Sequence, residues 1–252
     1  MGTLLITGTQ SGIGRYLHEE LGGSVYTRET SDEELEKIRS EGVEAIIHCA
    51  AKPRDPKLEG SDRTPYIPDN VDLTEKICAI PHKQFIYFST VDVYPKSDER
   101  HTEDEVIALA DIGEPYAETK LIGEEIVRKK AHNPIIFRCV NILGKYARKT
   151  NVMKLIEDDN PQLTLTADSE INVVTYDDIR ACIEYARTHN MQGTYNIARS
   201  APIQFGKIAE MVGKKVQFGT YTYHSGNIDN TKITALLPQF KETAEGAVRT
   251  CI

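Results

Sequence analysis

A tyrosine and a lysine stand four positions apart in the stretch GEPYAETKLIGEEIVRKK, residues 113–130. Positions i and i+4 of a helix share one face, so Tyr116 and Lys120 can both point into the same cleft. A tyrosine works as a general acid or base near neutral pH only if its pKa falls from about 10 by about three units, a cost of roughly 4 kcal/mol. A cation at about 4 Å supplies that energy at an effective dielectric constant of about 20. The pair is therefore a proton-transfer device if it is partly buried, and an inert helix face if it is exposed.

Hydroxyl groups that could hold a substrate precede Tyr116 by 26 residues. Ser89 and Thr90 follow the apolar run FIYF, and Asp92 lies two positions beyond Thr90. If that run is a strand, these residues lie at its carboxyl end. We expect Thr90 to hydrogen-bond the substrate oxygen and hold it against the Tyr116 hydroxyl, with Ser89 and Asp92 as further substrate contacts.

The elements that must position these residues follow a regular alternation. Short apolar, β-rich runs alternate with helical patterns, which is the pattern of a parallel sheet covered on both faces by helices. The sequence therefore predicts a doubly wound α/β fold. The predicted strands are 3–7, 24–27, 44–50, 84–90, 134–140 and 194–198, and the predicted helices cover about 13–21, 31–42, the residues after Tyr116, and 177–189.

Local signals mark the ends of two helices and one long loop. Ser31 with Glu34 predicts a capping box before the second helix, and Asp177 or one of its neighbours is expected to cap the helix near 178–189. The segment 52–70 carries four prolines and a glycine, which predicts a loop after the third strand. Such a loop lies at the edge where parallel sheets bind their ligands.

A glycine-rich turn, TGTQSGIG, joins the first predicted strand to the first helix. Its glycines let the backbone turn tightly and approach a pyrophosphate, whose negative charge then rests on the helix N-terminus. The alternative is a strand-to-helix turn that needs glycine for its geometry alone. The dinucleotide site predicted from this turn consists of Gly8, Gln10, Ser11, Gly12, Ile13 and Gly14.

An arginine closes the second predicted strand, at the place where dinucleotide sites read the adenosine ribose. An acid there holds the ribose 2′-hydroxyl, whereas an arginine accommodates a 2′-phosphate. Arg28 stands at this place with Glu29 next to it, and therefore favours NADP over NAD. The alternative is a solvated arginine without a ligand.

The composition excludes several classes of protein. The 252 residues carry a formal net charge of −8 without a basic stripe, so a nucleic-acid partner is not expected. No apolar run approaches the ~18 residues that span a bilayer, and the chain enters a strand at once, so we expect a cytoplasmic protein without membrane contact. The five cysteines are scattered without C-x-x-C spacing, which predicts reduced thiols and no metal site.

These motifs and several further blocks resemble the extended short-chain dehydrogenase/reductase superfamily, in its NAD-dependent epimerase/dehydratase branch that acts on nucleotide sugars. The order and spacing of the blocks along nearly the whole chain carry the likeness. The blocks are TGTQSGIG, HCAA (48–51), NVDLT (70–74), FSTVDVY, YAETK, FRCVNILG (137–144), VVTYDDI (173–179), TYNIA, NIDNTKITALLP and EGAV. The resemblance implies a Rossmann fold and a nicotinamide cofactor, which Ala50 and Ala51 of HCAA are implied to contact.

The resemblance also implies roles for individual residues. Thr90, Tyr116 and Lys120 match the family's catalytic threonine, tyrosine and lysine, and Lys120 is then a ribose ligand as well. Asn70 resembles a residue that supports the cofactor site, and Asn141 matches the asparagine that reaches the phosphates of the nucleotide sugar. Each could be structural instead, Asn70 as a helix cap and Asn141 as a turn former.

Departures from the family pattern narrow the expected reaction. Ser11 stands where this branch usually keeps a glycine, although a tight turn remains possible. Val91 and Asp92 stand where family dehydratases place an Asp-Glu pair, so the acid for eliminating water is missing and 4,6-dehydration is disfavoured. The chain is also short between 141 and 175 and after 198. These short segments, and the short link between the second and third strands, resemble the sugar-nucleotide ketoreductases. The resemblance favours reduction or oxidation with an exchangeable cofactor over epimerisation.

Two arginines and a histidine on the substrate side stay unassigned. Arg138 and Arg148 could meet a phosphate, although Arg138 lies within a predicted strand and could pair with an internal acid such as Asp177. His224 in TYTYHSGN is expected to be a surface residue.

We therefore expect a dinucleotide-binding Rossmann core over residues 1–140 plus about 173–198, and a small substrate-binding lid over about 141–172 and 199–252. The expected function is NAD(P)-dependent redox chemistry or epimerisation at a sugar carbon of a nucleotide sugar, with a ketoreductase favoured. Two alternatives stay open: the same chemistry on a free sugar, uronate or other small carbonyl compound, and a non-catalytic cofactor sensor. Helices such as 115–131 form the dimer seam in related proteins, so a homodimer is expected.

Overall fold

The computed structural model of the chain, which describes residues 3–55, 58, 62–189 and 191–252, alternates strands and helices along its length. In chain order the strands and α-helices are β1 (Leu4–Thr7), α1 (Gly12–Leu21), β2 (Ser24–Tyr26), α2 (Asp32–Glu41), β3 (Val43–His48), α3 (Leu73–Cys78), β4 (His82–Thr90), β5 (Arg100–His101), α4 (Pro115–Lys130), β6 (Pro134–Cys139), β7 (Asn141–Leu143), α5 (Asn151–Glu157), β8 (Glu170–Ile171), β9 (Val173–Thr175), α6 (Tyr176–Thr188), β10 (Gly193–Ile197), β11 (Ile203–Gln204), α7 (Phe205–Val212), β12 (Asn227–Ile228), α8 (Thr231–Leu236) and α9 (Ala244–Arg249). The predicted strands and helices are present, with ends that differ by a residue or two, the usual uncertainty of element boundaries.

Within the described residues, six strands form one parallel sheet in the order β10–β6–β4–β3–β1–β2. Both β2 and β3 pair with β1, so the order of the sheet reverses its direction at β1. In parallel α/β sheets the crevice for a ligand opens at such a reversal, outside the carboxyl ends of the strands. The register brings Thr7 opposite His48 and Thr90 opposite Cys139 at that edge.

Apolar side chains bury both faces of the sheet. Leu4 and Ile6 of β1 pack into one core with α1 and α6, whereas Leu5 packs into the other with α2 and α4. Because side chains alternate across a strand, consecutive apolar residues serve two cores only when helices cover both faces of the sheet. The predicted doubly wound α/β fold is therefore confirmed.

The helix caps come from residues beside the helix ends. The predicted capping box of α2 is present: the Glu34 amide donates to the Ser31 hydroxyl at 3.2 Å, and the Ser31 amide donates to the Glu34 carboxylate at 2.8 Å. Neighbours of Asp177 cap α6, since Thr175 and Asp178 form a second capping box. Both boxes satisfy amides that the first turn of a helix leaves unpaired.

The segment after β3 differs from the predicted loop. Its residues 56–57 and 59–61 lie outside the described part of the chain. Beyond them a 3₁₀ turn at Thr64–Tyr66 leads through a π-helical turn at Pro68–Asp72 into α3. The loop prediction is therefore wrong for residues 64–70. The prolines do not prevent these turns because each lies in a first turn, where the N–H that proline lacks has no helical partner.

A further apolar core lies outside the sheet, in the segments between β7 and β9 and after β10. It contains Leu155 of α5, Phe205 and Ile208 of α7, and Val248 of α9, all without solvent exposure. Short strand pairs, β7 with β9 and β8 with β11, join these segments. The C-terminal segments therefore pack on a core of their own.

In the part of the chain that the structure describes, no helix is both long enough and apolar enough to cross a membrane. Among the same residues, no group of three or more His, Cys, Asp or Glu side chains is placed to hold a metal ion.

Candidate active site

A cleft of about 1720 Å³ opens at the carboxyl ends of the sheet strands. Sites for a single small ligand usually measure about 300–1,000 Å³, so this cleft has room for a dinucleotide and a second ligand. Asn70, predicted to contact the cofactor, is fully buried and does not line it. The predicted site residues that line the cleft are Gly8, Gln10, Ser11, Gly12, Ile13, Gly14, Arg28, Ala50, Ala51, Ser89, Thr90, Asp92, Tyr116, Lys120 and Asn141.

The glycine turn between β1 and α1 forms a tight backbone cradle. A Cβ on Gly14 would lie 2.4 Å from the Gly8 carbonyl oxygen, and one on Gly8, whose φ is +73°, would lie 2.8 Å from the Ala50 amide nitrogen. Side chains are therefore excluded at both positions. The hydroxyl of Ser11, the N-cap of α1, makes no hydrogen bond to the helix and leaves its first-turn amides to another acceptor. The cradle fits the diphosphate of a dinucleotide, because amides and the positive end of the helix attract an anion.

A fully buried histidine connects this turn to the helical segment after β3. His48 Nδ1 lies 2.8 Å from the Thr7 hydroxyl, and Nε2 lies 3.0 Å from the Thr74 hydroxyl. Thr74 donates its proton to the Asn70 carbonyl oxygen at 2.9 Å, so Nε2 must donate to Thr74 and Nδ1 must accept from Thr7. Thr7 in turn accepts from the Ala50 amide at 3.0 Å. The imidazole is neutral, in agreement with burial, which lowers the pKa of His48 to about 3.

Asn70 clamps the segment after β3 to helix α4. Its side chain accepts from the Lys52 amide at 2.7 Å, and donates to the Lys52 carbonyl oxygen at 3.2 Å and to the Thr119 hydroxyl at 3.0 Å. Thr119 donates to the Tyr116 carbonyl oxygen at 2.8 Å. Asn70 lies inside the π-helical turn rather than at a helix end, so it is not a helix cap. It positions the start of α4 from behind the cleft wall.

Tyr116, the second residue of α4, is partly buried, and its phenol is less acidic than expected. Burial raises the pKa of Tyr116 above its usual value, the Asp92 carboxylate raises it further, and the Arg148 guanidinium opposes both. Lys120 is buried, with its ammonium 4.1 Å from the centre of the Tyr87 ring. Burial lowers the pKa of Lys120 to about 8. The expected fall in the pKa of Tyr116 is therefore wrong for the free protein, because burial and Asp92 raise this pKa.

Thr90 ends β4 and holds the neighbouring acid in place. Its hydroxyl donates to the Asp92 carboxylate at 3.2 Å and accepts from the Asp92 amide at 3.1 Å. Thr90 is buried, whereas Asp92 is exposed to the cleft. An anionic side chain thus lies near Tyr116, which accounts for its effect on the phenol.

Ser89 lines the cleft but commits its hydroxyl to the core. It donates to Glu124 at 2.5 Å, and Glu124 forms an ion pair with Arg138, whose Nη2 lies 2.8 Å from Oε2. The Glu124 and Arg138 side chains are 0% and 2% exposed, so both charges are enclosed. Arg138 therefore meets Glu124 rather than a phosphate or the exposed Asp177. Because Ser89 donates to a buried acid, whereas the partner of Thr90 is Asp92 at the cleft, Thr90 is the better candidate for a substrate contact.

Arg28 extends from the end of β2 to the helical segment before α3. Its Nη2 atom lies 2.6 and 2.8 Å from the two carboxylate oxygens of Asp69. The Arg28 side chain is 84% exposed, and that of Asp69 is 25% exposed. The fold thus brings to Arg28 a carboxylate from 41 residues further along the chain.

Sequence reasoning did not find several residues on the substrate side of the cleft. Tyr223 and Arg54 line it, and Arg54 forms an ion pair with Glu114 just before α4. No local motif marks Tyr223 and Arg54, since they come from distant loops. Arg148, named from the sequence as a possible phosphate ligand, also lines the cleft and donates to the Arg54 carbonyl oxygen at 3.5 Å. His224, expected to be a surface residue, is 65% exposed and lies outside the lining.

Known structures share this fold. The UDP-glucuronic acid 4-epimerase from Bacillus cereus, solved with UDP-glucuronic acid and NAD, has a TM-score of 0.79 at 19% identity over 98% of this chain and 96% of that chain. The dTDP-4-dehydrorhamnose reductase from Bacillus anthracis, solved with NADP, has a TM-score of 0.78 at 18% identity over 99% and 98%. The UDP-N-acetylglucosamine 4-epimerase from Methanobrevibacter ruminantium, solved with UDP-N-acetylmuramic acid, has a TM-score of 0.75 at 15% identity over 99% and 99%. A comparison with curated protein sequences gives no match.

A family model covers most of the chain. The model of the NAD dependent epimerase/dehydratase family matches residues 4–198, more than three quarters of the 252 residues. The matched segment contains the glycine turn, the sheet strands and helix α4. The match confirms the resemblance to the NAD-dependent epimerase/dehydratase family that was predicted from the sequence. The chain therefore belongs to the NAD dependent epimerase/dehydratase family.

Proposed function

We propose that this protein is an NAD(P)-dependent reductase or epimerase that transfers a hydride at a sugar carbon of a nucleotide sugar, with reduction of a keto sugar favoured. The observation that carries the proposal is that Thr90, Tyr116 and Lys120 line the same cleft as the glycine turn. Thr90 comes from β4 and the other two from α4, while the turn follows β1. A proton donor, a polar anchor for oxygen and a cradle for a dinucleotide are what such a hydride transfer needs.

The glycine cradle is the proposed site of the nicotinamide dinucleotide. Gly8 and Gly14 give a diphosphate access to the backbone, and Lys120 is expected to bind the ribose next to the nicotinamide. The bound cofactor supplies or accepts the hydride. Arg28 by itself favours NADP, but its ion pair with Asp69 offsets that charge. Both NAD and NADP therefore belong to the proposal.

Tyr116 is the proton donor of the proposed reduction. The phenol is protonated in the free protein because its pKa is raised. We propose that it gives this proton to the carbonyl oxygen as the hydride reaches the carbon, once Lys120 and the positive charge that develops on the nicotinamide lower that pKa. Thr90 orients that oxygen by a hydrogen bond, and the Lys120 ammonium stabilises the phenolate that is left.

The substrate half of the cleft carries cations suited to the diphosphate of a nucleotide sugar. Arg54, Arg148, Lys149 and Lys154 line it. Guanidinium and ammonium groups are the usual side-chain ligands of phosphate oxygens. Asn141 lies in the same lining, just after β6, and is proposed to contact the same group.

The segments 141–172 and 199–252 are proposed to form a lid over the sugar, with residues 1–140 and 173–198 as the Rossmann core. The apolar core shared by α5, α7 and α9 supports this division, because a unit with its own core keeps its shape when it moves. A homodimer and a cytoplasmic location are part of the same proposal.

Reduction and epimerisation both stay within the proposal, whereas dehydration does not. Val91 stands where the elimination of water needs an acid. The short C-terminal segments favour a reductase, while the structural alignment spans 96% of an epimerase chain. The two activities differ in whether the oxidised cofactor is released after one hydride transfer, which turnover with an excess of cofactor distinguishes.

The test is a Tyr116→Phe variant assayed on a panel of UDP-, GDP-, CDP- and dTDP-sugars with NAD(H) and NADP(H). We expect kcat to fall about 10²–10⁴-fold while the cofactor dissociation constant is unchanged. Tyr185→Phe, which removes a phenol hydroxyl outside the cleft, is the matched control and should keep wild-type rates. Near-normal turnover of Tyr116→Phe would contradict the proposed mechanism.

Calorimetry with the nucleotides themselves tests the substrate class. A nucleotide-sugar enzyme should bind at least one of UDP, GDP, CDP and dTDP, whereas an enzyme for free sugars should bind none of them. Cofactor that binds but is never reduced or oxidised with any sugar would indicate a sensor and overturn the proposal.

A further inference from the structure

An ion pair joins two distant segments at the end of the cleft next to β2. Arg28 lies two residues beyond β2, and its Nη2 atom lies 2.6 and 2.8 Å from the carboxylate oxygens of Asp69. Both residues line the cleft. We infer that Asp69 is a specificity-determining residue, which holds Arg28 away from a 2′-phosphate and favours NAD over NADP. This inference rests on the proposed dinucleotide cofactor.

Asp69 is the fixed partner of this pair. It lies in the π-helical turn directly before Asn70, whose buried side chain is clamped by hydrogen bonds on two sides. The Asp69 side chain is 25% exposed, against 84% for Arg28. A short carboxylate on a clamped turn has little freedom to withdraw, whereas a long exposed arginine can move. The guanidinium therefore follows the carboxylate, and Asp69 decides where this positive charge lies.

The other charges at this end of the cleft do not restore a positive field. Lys76 and Asp72 also line it, so the cations Arg28 and Lys76 balance the carboxylates Asp69 and Asp72. Lys76 packs over the Tyr26 ring, with its ammonium 5.4 Å from the ring centre. A balanced set of charges gives no net attraction to a phosphate, unlike an arginine that stands without an acid.

NAD and NADP differ only in the group on the adenosine ribose. The 2′-hydroxyl of NAD can donate to the Asp69 carboxylate, which is the role of an acid at this place in dinucleotide sites. The 2′-phosphate of NADP must take Arg28 from Asp69 and then lies next to the released carboxylate. With about two negative charges at about 6 Å in water, this repulsion disfavours NADP roughly tenfold. The ion pair thus reverses the preference that Arg28 alone indicates in the sequence.

The test measures binding and needs no substrate. Isothermal titration calorimetry with NAD and NADP gives the ratio of their two dissociation constants for each variant. Asp69→Asn keeps the shape of the side chain and removes its charge, so it should tighten NADP about tenfold relative to NAD. Asp69→Glu keeps the charge and should keep a ratio near that of the wild type.

Asp72→Asn is the matched control, because it removes a carboxylate at the same end of the cleft that is not part of the ion pair. It should change the ratio less than about twofold. The gain of Asp69→Asn should be smaller when Arg28→Gln is added, because the released guanidinium no longer binds the phosphate and only the lost repulsion from the carboxylate remains.

Two outcomes separate failure of the inference from failure of the proposed function. An unchanged ratio in Asp69→Asn, or a gain of the same size with and without Arg28, would overturn the inferred role of the ion pair and leave the cofactor proposal standing. A wild-type protein that binds neither NAD nor NADP would overturn the proposed function, and the inference with it.

Discussion

The Nε2 atom of His48 lies 3.0 Å from the Thr74 hydroxyl oxygen, and this buried contact ties β3 to α3. On its other side the ring accepts from Thr7, which itself accepts from the Ala50 amide. The imidazole therefore links the strand before the glycine turn to the helix behind the cleft. Only a neutral ring can do this, since a charged one would donate from both nitrogens and leave the Thr7 proton without an acceptor.

His48→Gln is expected to lower the free energy of unfolding at pH 7 by about 2 kcal/mol, because one amide cannot reach both Thr7 and Thr74 and a buried hydroxyl loses its partner. Cofactor affinity should fall too, because Thr7, the partner of His48, also holds the amide of Ala50, and Ala50 lines the cleft. Urea unfolding followed by circular dichroism and calorimetry with NAD measure the two effects. His224→Gln, which changes an exposed histidine, should match the wild type in both.

The same histidine predicts a specific pH dependence of stability. Its pKa is lowered on folding from 6.5 to about 3. Between these values the unfolded chain binds a proton that the folded chain does not, so stability falls as the pH drops from 6.5 to 3, by roughly 4–5 kcal/mol in full. The stability advantage of the wild type over His48→Gln should therefore shrink as the pH falls and reverse below about pH 5 in urea titrations. A difference that stays constant from pH 7 to pH 4 would contradict the neutral imidazole.

Lys120 should destabilise the free protein at neutral pH. Burial lowers its pKa from 10.5 to about 8, so the unfolded chain binds more protons in this window and stability rises with pH from 8 to 10.5. Below pH 8 the folded protein carries the full penalty, roughly 3 kcal/mol. Lys120→Met is therefore expected to stabilise the protein by about 1–3 kcal/mol at pH 7, and by less at pH 10, while weakening cofactor binding and activity.

Thermal unfolding at pH 7 and pH 10 measures this effect. Lys129→Met is the control on the same helix, since the Lys129 side chain is 75% exposed, and it should show no pH-dependent gain. A Lys120→Met protein that is less stable than the wild type at pH 7 would show that the buried Lys120 ammonium does not destabilise the fold.

Gly14→Ala is expected to destabilise the protein, although alanine favours a helix by about 1 kcal/mol over glycine. The added Cβ would lie 2.4 Å from the Gly8 carbonyl oxygen, so β1 and α1 would have to move apart. We expect a loss of roughly 1–3 kcal/mol and weaker dinucleotide binding, measured by scanning and titration calorimetry. At Gly113 a Cβ meets no atom within 4 Å, so Gly113→Ala should be nearly neutral, and equal losses in both variants would disprove the steric argument.

Glu124→Gln should strongly destabilise the protein. It leaves the Arg138 guanidinium enclosed without its counter-ion, which typically costs about 3–5 kcal/mol. The adjacent Glu125→Gln breaks only exposed contacts with Arg128 and Lys129, and should cost about 0.5 kcal/mol or less. Urea unfolding of the two variants measures the contrast. A Glu124→Gln loss as small as that of Glu125→Gln would mean that water reaches the Arg138 pair.

Much of the cleft could be predicted from the sequence because its parts lie at the ends of regular elements. The glycine turn follows the first strand, Thr90 ends the fourth, and Tyr116 opens a helix. A parallel sheet brings the carboxyl ends of its strands to one edge, so recognising the strands is enough to predict that these residues meet.

The partners of the charged and hydroxyl groups could not be predicted in this way. Ser89 and Thr90 are adjacent and look equivalent, yet one donates to Glu124 in the core and the other to Asp92 at the cleft. Side chains of consecutive strand residues point to opposite faces, so each hydroxyl meets what its own face is packed against. Nothing near Ser89 in the sequence identifies Glu124 as that partner.

By itself the sequence determined the parallel sheet, the glycine turn and the helix that presents Tyr116 and Lys120, because hydrophobic periodicity and glycine geometry act over a few residues. Only the tertiary structure decided which charges meet, such as Asp69 with Arg28, since such pairs depend on how separate segments pack. The tertiary structure also decided that the pKa of Tyr116 is raised and not lowered. Burial, and a carboxylate contributed by another element, are properties of the packed fold and not of the helix that carries the phenol.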